Sequence, residues 1–384
     1  MIYFDNAATG GRKPQSVIEA VKACIDGICA NPGRSGHALS VAQAQQIFRC
    51  RKLLCEFFDG ESAERVILTK NCTEALNFAL FGTVFGCKND DTYPQIPHVI
   101  TTAAEHNSVL RPLLFLERQG KISLTIAPLS NGEISLQNIA RSVRDNTIAA
   151  VVTLASNVTG AAVDAARLRA LLPERIYLIC DGAQACGHIP VSLKKFGIDA
   201  LAVAGHKGMH GIQGSGALIF SKRLNLAPTL YGGTGSNSAD PDMPDFYPDR
   251  LEAGTISCPA AASLAEGVLY LMPKLRANAA KIEKFTKLLI DGLNAIKNLR
   301  IYSRPNPFGI VAFTCKTLPS EFFAQALSDE YSIAVRGGLH CAPLMHRQLN
   351  TFETGAVRVS LSEFNTENEI NSFLFAAESL AKSN

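Results

Sequence analysis

Four apolar runs of strand length end in side chains that can do chemistry: HVITTAAEHNSV at Glu105 and His106, AAVVTLASNVTG at Asn157, IYLICDGAQ at Asp181 and Gln184, and DALAVAGHK at His206 and Lys207. The last run opens into a glycine-rich loop, GHKGMHGIQGSG, whose backbone can come close to a bound group. A lysine presented there can form a Schiff base with a carbonyl cofactor, its amine activated by partial desolvation. A lone lysine is more often a solvated surface residue. Here an imidazole, an amide, a carboxylate and the amine come from the ends of successive runs, an order that unrelated surface groups have no reason to adopt.

Further groups with a chemical use lie on either side. RVILT is followed by KNCTEALNFALFG, in which Thr73 or Asn71 suits the N-cap of a helix beginning near Glu74; free N–H groups at such a start bind phosphate. The loop CANPGRSGHALS, broken by Pro32, Gly33 and Gly36, carries Arg34 and His37, which face either a site or water. Near the C-terminus, alternation in AVRVSL sets Val357, Val359 and Leu361 on one face and Arg358 with Ser360 on the other, and in SIAVRG, Ile333 and Val335 face away from Arg336. That parity suits a solvated strand face or a bidentate grip on a carboxylate. In RGGLHCAPLMH, Cys341 follows Arg336 by five residues on a glycine-led loop. Its cationic neighbours favour a thiolate; a buried inert cysteine is the alternative.

The elements that must position these groups are readable from periodicity. Val17, Val21 and Ile25 form one helical stripe, and Val41, Ala44, Phe48, Leu54 and Phe58 another. Between the apolar runs, helical segments around 136 to 145 and 164 to 172 argue for a parallel sheet covered on both faces. In such sheets ligands bind beyond the carboxyl ends of the strands, so His106, Asn157, Asp181, Gln184 and Lys207 are expected in one crevice. The stretch from 231 to 255 is rich in Gly, Pro and Asp and reads as a functional loop or a connection. Helical pattern resumes over 260 to 297, interrupted at Pro273, and the remainder reads as α+β with a last helix whose Thr366 and Glu369 have capping-box spacing.

Composition excludes other classes. The chain has 384 residues, 47% of them hydrophobic, and a net charge of +3, which describes a globular protein without the charge excess that nucleic acid or a membrane surface would call for. No signal-peptide pattern and no apolar run of membrane-spanning length are present, so a cytoplasmic location is expected. Its 11 cysteines are odd in number and include no CxxC pair, which argues against a disulfide framework and against structural zinc. No GxGxxG follows a strand, so the nicotinamide alternative for an α/β chain lacks its phosphate turn.

The ordered set FDNAAT, TEALN, EHNS, SNVTG, CDGAQA, GHKG, EAGT, RGGLHCA and VRVSLSEFNT resembles the cysteine desulfurase and selenocysteine lyase family, SufS-like branch, of class V aminotransferases, over nearly the whole chain. The resemblance implies pyridoxal 5'-phosphate fold type I. A large α/β domain, its sheet mostly parallel and flanked by helices, would span 14–255, and a smaller α+β domain would combine 1–13 with 256–384. It implies that Lys207 carries the cofactor and shuttles the α-proton, that Asp181 pairs with the ring nitrogen, Gln184 with the ring hydroxyl, and that His106 stacks on the ring. Thr73 and His206 would hold the phosphate, and Thr255 would reach the partner subunit's phosphate, so a homodimer is implied. Asn157, Arg336 and Arg358 would meet the substrate, L-cysteine, and Cys341 would take its sulfur as a persulfide for a sulfur-acceptor protein and uses such as iron–sulfur cluster assembly. Selenocysteine lyase, another class V aminotransferase or epimerase, and a non-catalytic sulfur-trafficking scaffold are the alternatives; plain transamination has no use for the thiol. Ala204 replaces a hydroxyl residue common in the family, Cys72 stands where threonine or glycine is frequent, and 233 to 250 differs enough to carry no implied role.

Overall fold

The computed structural model describes residues 1–27, 30–33, 35–86 and 95–382; Arg34 and Cys29 fall outside them. The strands in chain order are β1 (Ile2–Tyr3), β2 (Val66–Thr69), β3 (His98–Thr102), β4 (Ser123–Ala127), β5 (Thr147–Thr153), β6 (Tyr177–Asp181), β7 (Ala200–Ala204), β8 (Gly216–Phe220), β9 (Leu299–Ile301), β10 (Ile310–Cys315), β11 (Ile333–Ala334) and β12 (Val357–Ser360). Seven of them form one sheet in the order β2-β8-β7-β6-β5-β3-β4, parallel except where β8 runs against both β7 and β2. This is the expected mostly parallel, helix-flanked architecture. Alternate residues feed separate cores: Val152, Cys180, Leu201 and Val203 face one way, and Val151, Ile179, Ala200 and Ala202 the other. A sheet covered on both faces needs that near-continuous apolar run, which is why these strands lack polar alternation.

Two features of the sheet depart from the sequence reading. Strand β4 was not anticipated, because KISLTIA is an edge strand whose half-buried residues give no strong pattern. Strand β8 returns antiparallel directly after the lysine loop, without the helix a parallel crossover requires. The order of the sheet reverses between β5 and β3, so the crevice lies at the switch point where open α/β sheets bind ligands.

The second sheet, β12-β10-β9, is antiparallel, and β1 pairs with β11 beside it. Phe4, Phe313, Phe323 and Phe373 centre its core against helices Leu275–Asn294, Ser320–Tyr331 and Glu367–Lys382. The last helix is capped in both directions, Glu369 N–H to Thr366 Oγ1 at 3.2 Å and Thr366 N–H to Glu369 Oε2 at 2.9 Å, as its spacing predicted. Pro273 separates helix Cys258–Leu271 from helix Leu275–Asn294.

One stripe was misread. On helix Ala38–Phe57, Val41 and Phe48 are 44% and 50% exposed, and the buried face carries Ser40, Ile47, Cys50, Arg51 and Leu54. Apolar spacing cannot anticipate Arg51 as an inward residue. It is buried because Glu252 receives both its Nη groups, at 2.7 and 2.6 Å, while Glu252 Oε1 also accepts the Leu68 N–H at 2.7 Å. That knot anchors the EAGT segment at the end of the 231 to 255 stretch, which has neither helix nor strand. Ile25 likewise is 63% exposed. Among the described residues no helix is long and apolar enough to cross a membrane.

Candidate active site

The carboxyl ends of β2, β3, β5, β6 and β7 open into a cavity of about 210 Å³. It is lined by Thr73, His106, Asn157, Asp181, Gln184, His206, Lys207, Arg336 and Arg358, so nine side chains singled out in the sequence meet in one place. Thr255 does not join them: it is exposed, in a separate cleft that Arg51 and Glu252 also line.

Lys207 sits on a closed turn. Gly205 N–H donates to Ser215 O at 3.0 Å, His210 N–H to Lys207 O at 3.0 Å, and Gly211 N–H to Gly205 O at 2.8 Å. Burial lowers the Lys207 pKa, opposed by the Asp181 carboxylate facing the same space. Asp181 is the last residue of β6, and its Oδ1 accepts the Ala183 N–H at 2.9 Å and the Cys72 thiol at 3.5 Å. Burial raises the Cys72 thiol well above its ordinary value, and Asp181 adds to that, so Cys72 stays protonated and donates. Gln184 is oriented by donating to Ala7 O at 3.0 Å.

His106 caps helix Asn107–Arg118: its Nδ1 accepts the Ser108 N–H at 3.0 Å, which fixes the ring and leaves the proton on Nε2. Burial pulls its pKa down to about 4. The preceding Glu105 turns away from the cavity, accepting from Thr102 Oγ1 at 2.6 Å and Thr153 N–H at 3.0 Å, and burial raises it to about 8. His206 Nδ1 meets Thr9 Oγ1 at 2.6 Å, and burial holds it at about 4. Thr9 thus orients the His206 ring from outside the cavity, while Ala204, which lines it, offers no hydroxyl. At the start of helix Cys72–Gly86 the cap is Asn71, whose Oδ1 takes the Glu74 N–H at 2.9 Å; Thr73 lies within the first turn, its Oγ1 2.8 Å from Ser108 Oγ.

The two arginines read from strand parity are direct partners: Arg358 N–H donates to Arg336 O at 2.8 Å and Arg336 N–H to Arg358 O at 3.2 Å. Like charges opposed across a ladder repel, so the pair suits an anion in the cavity that both line. Arg358 is 1% exposed; its Nη2 reaches Asp5 Oδ1 at 2.8 Å, its Nη1 donates to Asn157 O at 2.9 Å, and its Nε is buried without a partner. A buried donor left open is costly unless something fills it. Neither Asp5 nor Thr9 was singled out in the sequence, since each acts on a partner far along the chain.

Cys341 is the exposed cysteine among those described. Its sulfur is 4.0 Å from Arg336 Nη2. His340 and Cys341 are consecutive residues in left-handed conformation, φ 51° and 56°, a strained pair that needs outside support. Support comes from the large sheet: Asn157 Nδ2 donates to His340 O at 2.6 Å, and Asn107 N–H to Cys341 O at 2.7 Å. Behind the loop, His340 Nδ1 lies 3.4 Å from His346 Nε2, and His346 Nδ1 lies 2.8 Å from Thr351 Oγ1.

Comparison with known proteins identifies the family and the fold. Residues 2–373 match the family model described as aminotransferase class-V. The chain is 32% identical over 400 residues to a probable cysteine desulfurase of Pyrococcus abyssi, covering all of this chain and 95% of that protein. It is 27% identical over 398 residues to a cysteine desulfurase of Yersinia pseudotuberculosis, covering 100% and 94%. A solved apo structure of cysteine desulfurase from Thermococcus onnurineus NA1 superposes with a TM-score of 0.90 at 28% identity, over 100% of this chain and 95% of that one. The chain belongs to the aminotransferase class-V family.

Proposed function

We propose that the protein is a pyridoxal phosphate-dependent cysteine desulfurase that converts L-cysteine to L-alanine and keeps the sulfur on Cys341. The observation that carries this reading is a single cavity in which Lys207 faces Asp181, opposed by Arg358 and Arg336, with the exposed Cys341 sulfur 4.0 Å from one of those guanidinium groups.

The donor set fits the cofactor. A desolvated amine beside a buried carboxylate, a neutral fixed imidazole and a helix start carrying Thr73 match an aldehyde-bearing, cationic ring with a phosphate tail. Lys207 would hold its aldehyde carbon, Asp181 its ring nitrogen, Gln184 its ring hydroxyl and His106 its face, with Thr73 and His206 at the phosphate. Bound there, it supplies an electron sink for the pair released at the substrate α-carbon. Thr255 would complete the phosphate site of a second copy in a homodimer, which its exposed position in the cleft beside Arg51 and Glu252 permits. We draw the large domain as 14–255 and the smaller as 1–13 with 256–384; helix Cys258–Leu271 crosses that boundary, packing on helices Gln15–Asp26 and Ala38–Phe57 and lending Leu264, Val268 and Leu271 to the core of the larger domain.

The chain's own groups then act in order. The open Nε–H of Arg358 donates to the substrate carboxylate, with Arg336 and Asn157 alongside. Lys207, held by burial below the usual lysine range, moves the α-proton. The Cys341 sulfur attacks the substrate sulfur, and the carbon–sulfur bond breaks. Its electron pair stays with carbon, which takes a proton and leaves as alanine, while Cys341 keeps the sulfur as a persulfide for an acceptor protein. The test is turnover of L-cysteine by the purified protein supplied with pyridoxal phosphate. Equimolar alanine and sulfide in the presence of a thiol reductant support the reading, and amino transfer to a keto acid without alanine from cysteine overturns it.

A further inference from the structure

Outside the cavity, a buried polar pair that the reaction does not use begins three residues beyond Lys207. His210 Nε2 is 2.8 Å from Glu363 Oε1, with side chains only 5% and 7% exposed. His210 is a non-glycine residue at φ 60°, on the corner of the lysine turn. Tyr270 and Phe364 meet its ring edge-on, at 5.3 and 5.6 Å between centroids. Gly208, between Lys207 and His210, is packed closely on its side-chain face: a Cβ there would come 2.7 Å from Cys186 O and 2.8 Å from the His188 ring. His210 is tied to Lys207 directly, its N–H donating to Lys207 O at 3.0 Å.

Glu363 lies on the turn that follows β12, the last strand of the other sheet. It lies five residues after Arg358, its Oε1 also accepts Asn278 Nδ2 at 3.2 Å, and its backbone carbonyl accepts Lys281 Nζ at 2.6 Å, both from helix Leu275–Asn294. The pair thus ties the turn bearing the amine to the segment following the strand that bears the carboxylate grip. Loss of one partner leaves the other buried and uncompensated, which costs more than the net worth of the intact pair.

We propose that His210 and Glu363 are positioning residues that set the separation of Lys207 from Arg358 across the two sheets. The inference rests on the roles proposed for those two residues. Glu363→Ala removes the bond and Glu363→Gln retains an acceptor for His210. His210→Asn suits the left-handed backbone but is too short to reach Glu363. Two readouts are taken on full-length protein: kcat and KM for L-cysteine, and amide hydrogen exchange over 205–214 and 357–365 without added cofactor.

The expected result is faster exchange in both segments for Glu363→Ala and His210→Asn, a fall in kcat/KM of roughly tenfold, with KM rising as the grip is misplaced, and recovery of most of that loss in Glu363→Gln. Unchanged exchange at 205–214 in Glu363→Ala overturns the proposal. So does a Glu363→Gln protein as impaired as Glu363→Ala. If the wild-type protein does not turn over cysteine, the functional reading fails while the exchange result still decides the linkage.

Discussion

The groups at the strand ends and the loop carrying Cys341 solve opposite problems. Asp181, His106 and Lys207 are enclosed, oriented by backbone N–H groups or a closed turn, and desolvated enough to shift two of the three. Cys341 is exposed, in left-handed conformation, and held through carbonyl oxygens by Asn157 and Asn107. The contrast follows from the chemistry proposed for each. A proton moved at carbon profits from a dry, fixed amine, whereas a sulfur that must be handed to another protein has to be reachable from outside. The two halves meet at Asn157, whose backbone carbonyl holds Arg358 and whose side chain holds the loop.

Substitutions should separate the halves, the deepest having the largest effect. Lys207→Ala is expected to lower alanine formation by about a thousandfold, the scale of a lost acid–base group, while Cys341 still alkylates at its wild-type rate. Parallel loss of thiol reactivity would mean that the halves are not independent. Arg358→Ala should raise KM for cysteine and lower kcat/KM roughly a hundredfold, as expected for loss of charge-assisted bonds of about 2–3 kcal/mol. Equal losses with a decarboxylated analogue would remove the carboxylate from that role.

Asn157→Ala should do less to binding and more to the loop. The loss of one bond of about 1 kcal/mol predicts a roughly fivefold fall in kcat/KM with faster amide exchange over 339–342. Unchanged exchange there would leave the left-handed pair supported by something else. The smallest effect is on stability with pH. His106 and His206 are held by burial at about 4, below the ordinary 6.5, so the unfolded chain protonates first. Their contribution is present above about pH 6.5 and is lost as pH falls toward 4. The thermal midpoint should drop between pH 7 and pH 5, partly offset by Glu105, which burial holds at about 8 and which stabilises as pH falls; a profile that stays flat in Glu105→Gln would place these imidazoles in a wetter setting.

Much of the site was legible because chemistry here begins where apolar runs stop. Runs buried on both faces are conspicuous, and the polar residue that ends each one must lie at the sheet's edge, as Asp181 does after IYLIC. Arg336 and Arg358 were legible by parity, and their pairing across the ladder was not, because register is a property of two strands. Asp5 and Thr9 escaped notice for the same reason: nothing near them in sequence indicates a guanidinium or an imidazole supplied from elsewhere. The capping role of His106 was hidden by its ring, since imidazole is not among the usual cap residues, and Val41 and Phe48 were misassigned because an apolar stripe on a helix marks a covered face only when something in the same chain covers it.

The decisive measurement is alanine and sulfide release from L-cysteine, with and without a thiol reductant, by the wild type and Cys341→Ser. The wild type should form alanine with cyanide-labile sulfur on the protein, released as sulfide when reductant is added. Cys341→Ser should bind pyridoxal phosphate normally and form neither product at a comparable rate. Sulfide release by Cys341→Ser at the wild-type rate would contradict the assignment of the sulfur to Cys341.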